Sequence, residues 1–62
     1  MKLQISNELD GGDEVTVATV IKGDGTEVHI GTFTYEDHGT QGIQNICRAL
    51  IDMAKATGVE VI

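Results

Sequence analysis

The chain has 62 residues, with ten Asp or Glu against four Lys or Arg, and a formal net charge of −6. That length admits one domain at most, and one that buries only about 60% of the surface its unfolded form exposes. The charge weighs against gripping nucleic-acid phosphates, which needs clustered basic side chains, and against anionic membrane surfaces.

In chain order, Leu3 and Ile5 alternate with Lys2, Gln4 and Ser6, the period of a half-buried strand. Asp10-Gly11-Gly12 is a turn signal. Glu14 to Lys22 is a run rich in β-branched residues, and Asp24-Gly25 is a two-residue hairpin signal of type I′. Thr26 to Tyr35 is the expected third strand. Gly39 breaks it, Thr40 can cap a helix, and Gly58 can end that helix as its left-handed residue. Val59 to Ile62 reads as a short last strand. The expected fold is α+β, a single domain in the order β-β-β-α-β: a three-stranded antiparallel meander, one amphipathic helix on one face, and a short C-terminal strand.

Register assigns the faces. A two-residue Asp24-Gly25 loop pairs Lys22 with Glu27 and Ile21 with Val28. One face then carries Val15, Val17, Thr19, Ile21, Val28, Ile30, Thr32 and Thr34. It has no charge and is richer in β-branched residues, so it is the expected core. A three-residue Asp10-Gly11-Gly12 loop would bring Leu3 and Ile5 onto it. The helix presents Ile43, Ile46, Cys47, Leu50, Ile51, Met53 and Ala54 on an arc of about 160°, with Gln44, Arg48, Asp52 and Lys55 opposite. Asn45, Ala49, Asp52 and Ala56 form a flank of short side chains, open to a second helix or simply to solvent.

Small chains need help to fold: burial at about 25 cal/mol per Å² barely offsets roughly 1.5 kcal/mol of ordering per residue. The single Cys47 cannot form an internal disulfide, and no Cys/His cluster offers a zinc site. A homo-oligomer is therefore expected. Polar residues interleave Met1 to Asn7, so no signal-peptide core is visible, and apolar runs are far too short for a membrane span. With an unpaired cysteine, the expected location is cytoplasmic.

No phosphate-binding glycine loop, nucleophile elbow or His-Glu-x-x-His pair is present. A Cys47/His38 or Cys47/His29 nucleophilic pair would place its thiol on the apolar helix face, where thiols are inert. The expectation is a protein that is not an enzyme and needs no cofactor. The most informative feature is charge placement, because a meander brings Glu8, Asp10, Asp13, Glu14, Glu36 and Asp37 to one end. Glu36 and Asp37 would complement the helix dipole at roughly 0.3–1 kcal/mol each, and the other four exceed that need. The end could serve solubility, dock on a basic surface of a larger protein, or hold a hard cation, although its spacing matches no EF-hand loop.

A different class of reading uses Gly39, Thr40, Gln41 and Gly42 at the helix start, whose backbone N–H groups suit an anion. His29, Phe33 and Tyr35, around the small pair Ala18 and Gly31, would form a shallow groove beside them, with His38 in a solvated loop. Two functions follow. The first is a small acidic inhibitor or adaptor docking on a basic protein site, its carboxylates imitating phosphates. The alternative is a homo-oligomeric protein that sequesters a nucleotide-like ligand. Both activities occur among small acidic phage and prophage proteins, an association of size and charge that suggests a viral protein.

Overall fold

A computed structural model covers residues 1–62. The element order is β1 (Lys2–Asp10), β2 (Asp13–Ile21), β3 (Glu27–Thr34), α1 (Tyr35–Ala56) and β4 (Glu60–Val61). The sheet runs β3-β2-β1-β4, an antiparallel meander with β4 added parallel to β1. The fold is α+β, as the pattern of strands and helix predicts.

The first hairpin is tighter than expected. Gly11 and Gly12 have φ of 61° and 90°, the positive pair that a two-residue type I′ turn demands. Asp10 and Asp13 close it as cross-strand partners, so the loop holds two residues and not three. An even count reverses the phase of β1 against β2. Leu3 meets Val20, Ile5 meets Ala18, and Asn7 meets Thr16. These six share one face, and Val15, Val17, Thr19 and Ile21 lie on the other.

The second hairpin also departs from the expected register. Asp24 and Gly25 are not the central pair; Gly25 N–H donates to Lys22 O at 2.9 Å and Lys22 N–H to Thr26 O at 2.8 Å. Gly23 and Asp24 are therefore central, and Gly25, at φ 89°, turns the chain back. Glu27 pairs with Ile21, and Val28 with Val20. Further along, Thr19 pairs with His29 but Ala18 with Gly31, so Ile30 is the extra residue of a β-bulge. The bulge brings His29 and Thr32 to the same side, where His29 Nε2 and Thr32 Oγ1 lie 2.8 Å apart.

The helix packs on the face carrying Leu3, Ile5, Thr16, Ala18 and Val20; all of these but the buried Ala18 line two hollows jointly with Ile43, Cys47, Leu50, Ile51 and Ala54. The expected core face is therefore the open one. The reason is size and phase. Ala18, opposite Gly31, is only 1% exposed and lets the helix approach closely, and the two-glycine turn puts Leu3 and Ile5 beside it. Val15 is buried on the open face, between its cross-strand neighbours Glu8 and Thr34.

The helix also begins earlier than expected. Thr34, not Thr40, is its N-cap, accepting a hydrogen bond on Oγ1 from Asp37 N–H at 3.2 Å. Tyr35 is its first residue and not the end of a strand. Gly39 interrupts the helix, with φ 69° and ψ 168°, and does not precede it. A Cβ at Gly42 would lie 3.1 Å from that of His38, so the short first turn packs against the longer segment at a position that has no side chain. At the other end Gly58 does take the left-handed conformation, at φ 77°. Its N–H donates to Lys55 O at 3.3 Å and Val59 N–H to Ala54 O at 2.8 Å, the paired bonds of a Schellman cap. Thr57 Oγ1 donates to Met53 O at 2.9 Å and Ala54 O at 3.1 Å. β4 then pairs only with Lys2 and Leu3, and Ile62 N–H extends it by donating to Leu3 O at 3.0 Å. No helix is long and apolar enough to cross a membrane.

Candidate functional site

Two regions of the molecule concentrate chemistry, and the first is the acidic end. Asp10 and Asp13 face each other across the β1–β2 turn. Asp13, Glu14 and Glu36 line one cleft of about 200 Å³ with Thr34 and Tyr35, and Glu8 and Glu14 flank Leu9 in a second of about 150 Å³. Asp37 is held in the first turn of α1 by its N–H bond to Thr34. All six carboxylates are exposed. The remaining four acids, Asp24, Glu27, Asp52 and Glu60, are matched in number by Lys2, Lys22, Arg48 and Lys55. The net charge of −6 thus equals the charge of this one end. No three of the His, Cys, Asp and Glu side chains are placed to share a metal ion, so the acids are spread as a surface and not gathered as a chelate.

The groove expected from His29, Phe33 and Tyr35 does not assemble. His29 is on the open sheet face with Thr32. Phe33 is on the helix side, where its ring covers Gly31 so closely that a Cβ there would lie 2.7 Å from Cζ. Its edge meets His38, with centroids 5.8 Å apart and planes at 75°. His38 is thus a helical residue in edge-to-face contact with Phe33 and not a loop residue. Gly39 to Gly42 lie inside α1, one turn after its cap, where Gln41 Nε2 donates to Asn45 Oδ1 at 3.1 Å.

Tyr35 belongs to the second region, the largest concavity, about 500 Å³ between α1 and the β1–β2 ladder. Its walls are apolar at Ile5, Ile43 and Ile51, with Cys47 half-buried among them. Its polar rim is Asn7, Tyr35, Gln44 and Arg48, and its lining contains no carboxylate and no histidine. Thr16, the one buried polar residue, donates from Oγ1 to Asn7 Oδ1 at 3.0 Å. That bond consumes the acceptor of the Asn7 amide and leaves its two N–H donors available. Arg48, the only arginine, stands one turn from Gln44 on the same side of the helix.

Sequence reasoning missed this cleft. Gln44 and Arg48 fall on the polar arc of the helix, and Asn7 comes to the same face as Thr16 only through the two-residue turn. The available signal was the Gly11-Gly12 pair, which read as a complete turn would have put Asn7 and Ile5 on the face of Thr16 and Ala18. Comparison with known proteins adds no relative: no family model, no curated protein and no solved structure matches the chain.

Proposed function

We propose that this is a non-enzymatic acidic binding protein whose Glu8–Asp10–Asp13–Glu14–Glu36–Asp37 end docks on a basic site of a larger protein, as an inhibitor or adaptor. The observation that carries the reading is that the whole net charge sits at one end, on exposed side chains, while the rest of the molecule is balanced. The dipole of α1 needs only Glu36 and Asp37; Asp10 and Asp13 face each other directly, an arrangement that costs stability. A potential so one-sided steers association with a basic partner and makes it salt-dependent. The test is capture from lysate and measurement of association rate across a salt titration. Replacing Asp10 and Asp13 by Asn should slow association several-fold and leave the fold intact, whereas reversing Lys22 and Lys55 should change little. Equal rates for wild type and the Asn pair at every salt concentration would refute the reading.

The α1–sheet cleft favours a second reading, the sequestering of a small nucleotide-like anion. Its support is an acid-free lining in an otherwise acidic chain, with Arg48, Gln44 and the pinned Asn7 amide as donors above an apolar floor. Calorimetry with a panel of nucleoside phosphates tests it. Binding that disappears in Arg48→Ala supports this reading, and no heat from any member of the panel removes it.

A further inference from the structure

Along most of its length β1 is paired on one side only. Backbone groups alternate sides along a strand, and Leu3 O points away from β2, since it accepts Ile62 N–H at 3.0 Å. By the same alternation the N–H and C=O of Ile5, Asn7 and Leu9 point to that side, where β4 reaches only Lys2 and Leu3. No turn, loop or cap bond supplies them with a backbone partner. Asn7 to Asp10 are exposed. A row of donors and acceptors at this spacing matches one class of ligand, the backbone of another extended chain.

Charge decides which chain. Glu8 and Asp10 lie on the open face of β1, two residues and about 7 Å apart, with Asp13 paired to Asp10. On the helix side Ile5 and Asn7 line the large cleft whose rim carries Arg48, and that lining holds no carboxylate. We infer that this edge takes up an extended basic segment of a partner protein as an added strand. Its Lys or Arg residues would stand at alternate positions beside Glu8 and Asp10, with apolar residues between them beside Ile5 and Leu9. The alternation follows from the pleat: side chains two apart share a face, so one set meets the acids and the other the apolar residues. Arg48 opposes a cation on the helix side and so fixes the phase. A second copy is disfavoured, because its own edge would set Glu8 and Asp10 against their like. The inference rests on the docking reading and narrows the partner from a basic surface to a basic strand, held by backbone hydrogen bonds as well as by charge.

Amide hydrogen exchange by nuclear magnetic resonance, with a synthetic peptide alternating Lys and Val as the probe, tests it. Titration should slow exchange at the Ile5, Asn7 and Leu9 amides. A peptide of the same composition with its lysines in one block should bind about tenfold more weakly. N-methylation at every Val, or at every Lys, removes the donors of one peptide edge only; one of the two should abolish binding and the other should not. Leu9→Pro deletes an outward N–H at an exposed edge position, where proline is tolerated, and should weaken binding about tenfold with an unchanged circular dichroism spectrum. The N-methylated pair needs no variant protein, so the test stands even if Leu9→Pro unfolds. Equal binding of all the peptides, weakened only by salt, would leave charge docking standing and overturn the added strand. No binding of the alternating peptide overturns it too, whatever the capture experiment returns. Exchange at those amides that slows with protein concentration alone would give the edge to a second copy, and the inference would fall.

Discussion

The hydroxyl of Thr16, buried in the central strand, donates to the side-chain oxygen of Asn7 on the neighbouring strand at 3.0 Å, and it is the only side chain–side chain hydrogen bond linking β1 to β2. Thr16→Val keeps the shape and removes the donor. Because Asn7 can turn to water, the expected loss is about 0.5–1.5 kcal/mol in urea unfolding, the net worth of one hydrogen bond. The amide resonances of the Asn7 side chain should broaden at the same time. An unchanged midpoint with unchanged Asn7 resonances would mean the bond does not order the cleft.

Gly31→Ala tests the close approach of Phe33. The added methyl would meet the ring at 2.7 Å, so the ring must leave Gly31 and with it the edge of His38. Overpacking of this kind costs about 1–3 kcal/mol. The measurement is the melting temperature together with the ring-current shift of the His38 protons, both of which should fall. In a Phe33→Leu background the alanine should be much better tolerated.

Ile43 is the most buried large side chain of the helix. Ile43→Ala should cost about 2–5 kcal/mol, enough to leave a marginal domain largely unfolded at room temperature by circular dichroism. Met53→Ala, on the same apolar arc but exposed, should leave the monomer's fold in place. Equal losses would contradict the packing of the helix.

The Asp24 carboxylate accepts the Thr26 backbone N–H at 2.9 Å, and that bond, followed by the Thr26 side chain, holds its pKa below the ordinary aspartate value. A carboxyl group depressed on folding stabilises the fold above its unfolded pKa, about 3.9, and the contribution is lost as pH falls through the lower folded value. The stability difference between wild type and Asp24→Asn should therefore be constant above about pH 5 and shrink below about pH 4. A difference that grows on acidification would contradict the turn geometry.

Much of this architecture is legible in local chemistry. The order of elements follows from period-two runs, the apolar helical arc and glycine punctuation, and Gly58 ends the helix as its type predicts. What is not legible is parity. Asp10-Gly11-Gly12 can be read as a turn of two residues or three, and one residue of difference moves Leu3, Ile5 and Asn7 to the opposite face. The bulge at Ile30 is announced only by the adjacent Gly31, a glycine inside a strand that can equally mark a close packing contact. Thr34 and Thr40 are both plausible caps; Thr34 prevails because Asp37, three residues on, supplies the N–H and Gly39 is accommodated as a kink. The cleft depends on these choices together, so Asn7 and Arg48 could not be brought to one place by periodicity alone, whereas the acidic end survives every change of register because turns and strand ends stay where they are.

Since β4 occupies only Lys2 and Leu3, the outward backbone groups of Ile5, Asn7 and Leu9 face solvent along an edge with no bulge, proline or lysine from Gln4 to Asp10. Such an edge invites growth by strand addition, and Leu9, 79% exposed, would favour it. Two identical edges brought together would set the exposed carboxylates of Glu8, Asp10 and their neighbours against one another, a repulsion that opposes the addition. The negative charge is then a colloidal guard on the molecule's own backbone. It weakens as the solution approaches the isoelectric point near 4.4 or as salt rises, and strand addition at this edge becomes easier under either condition.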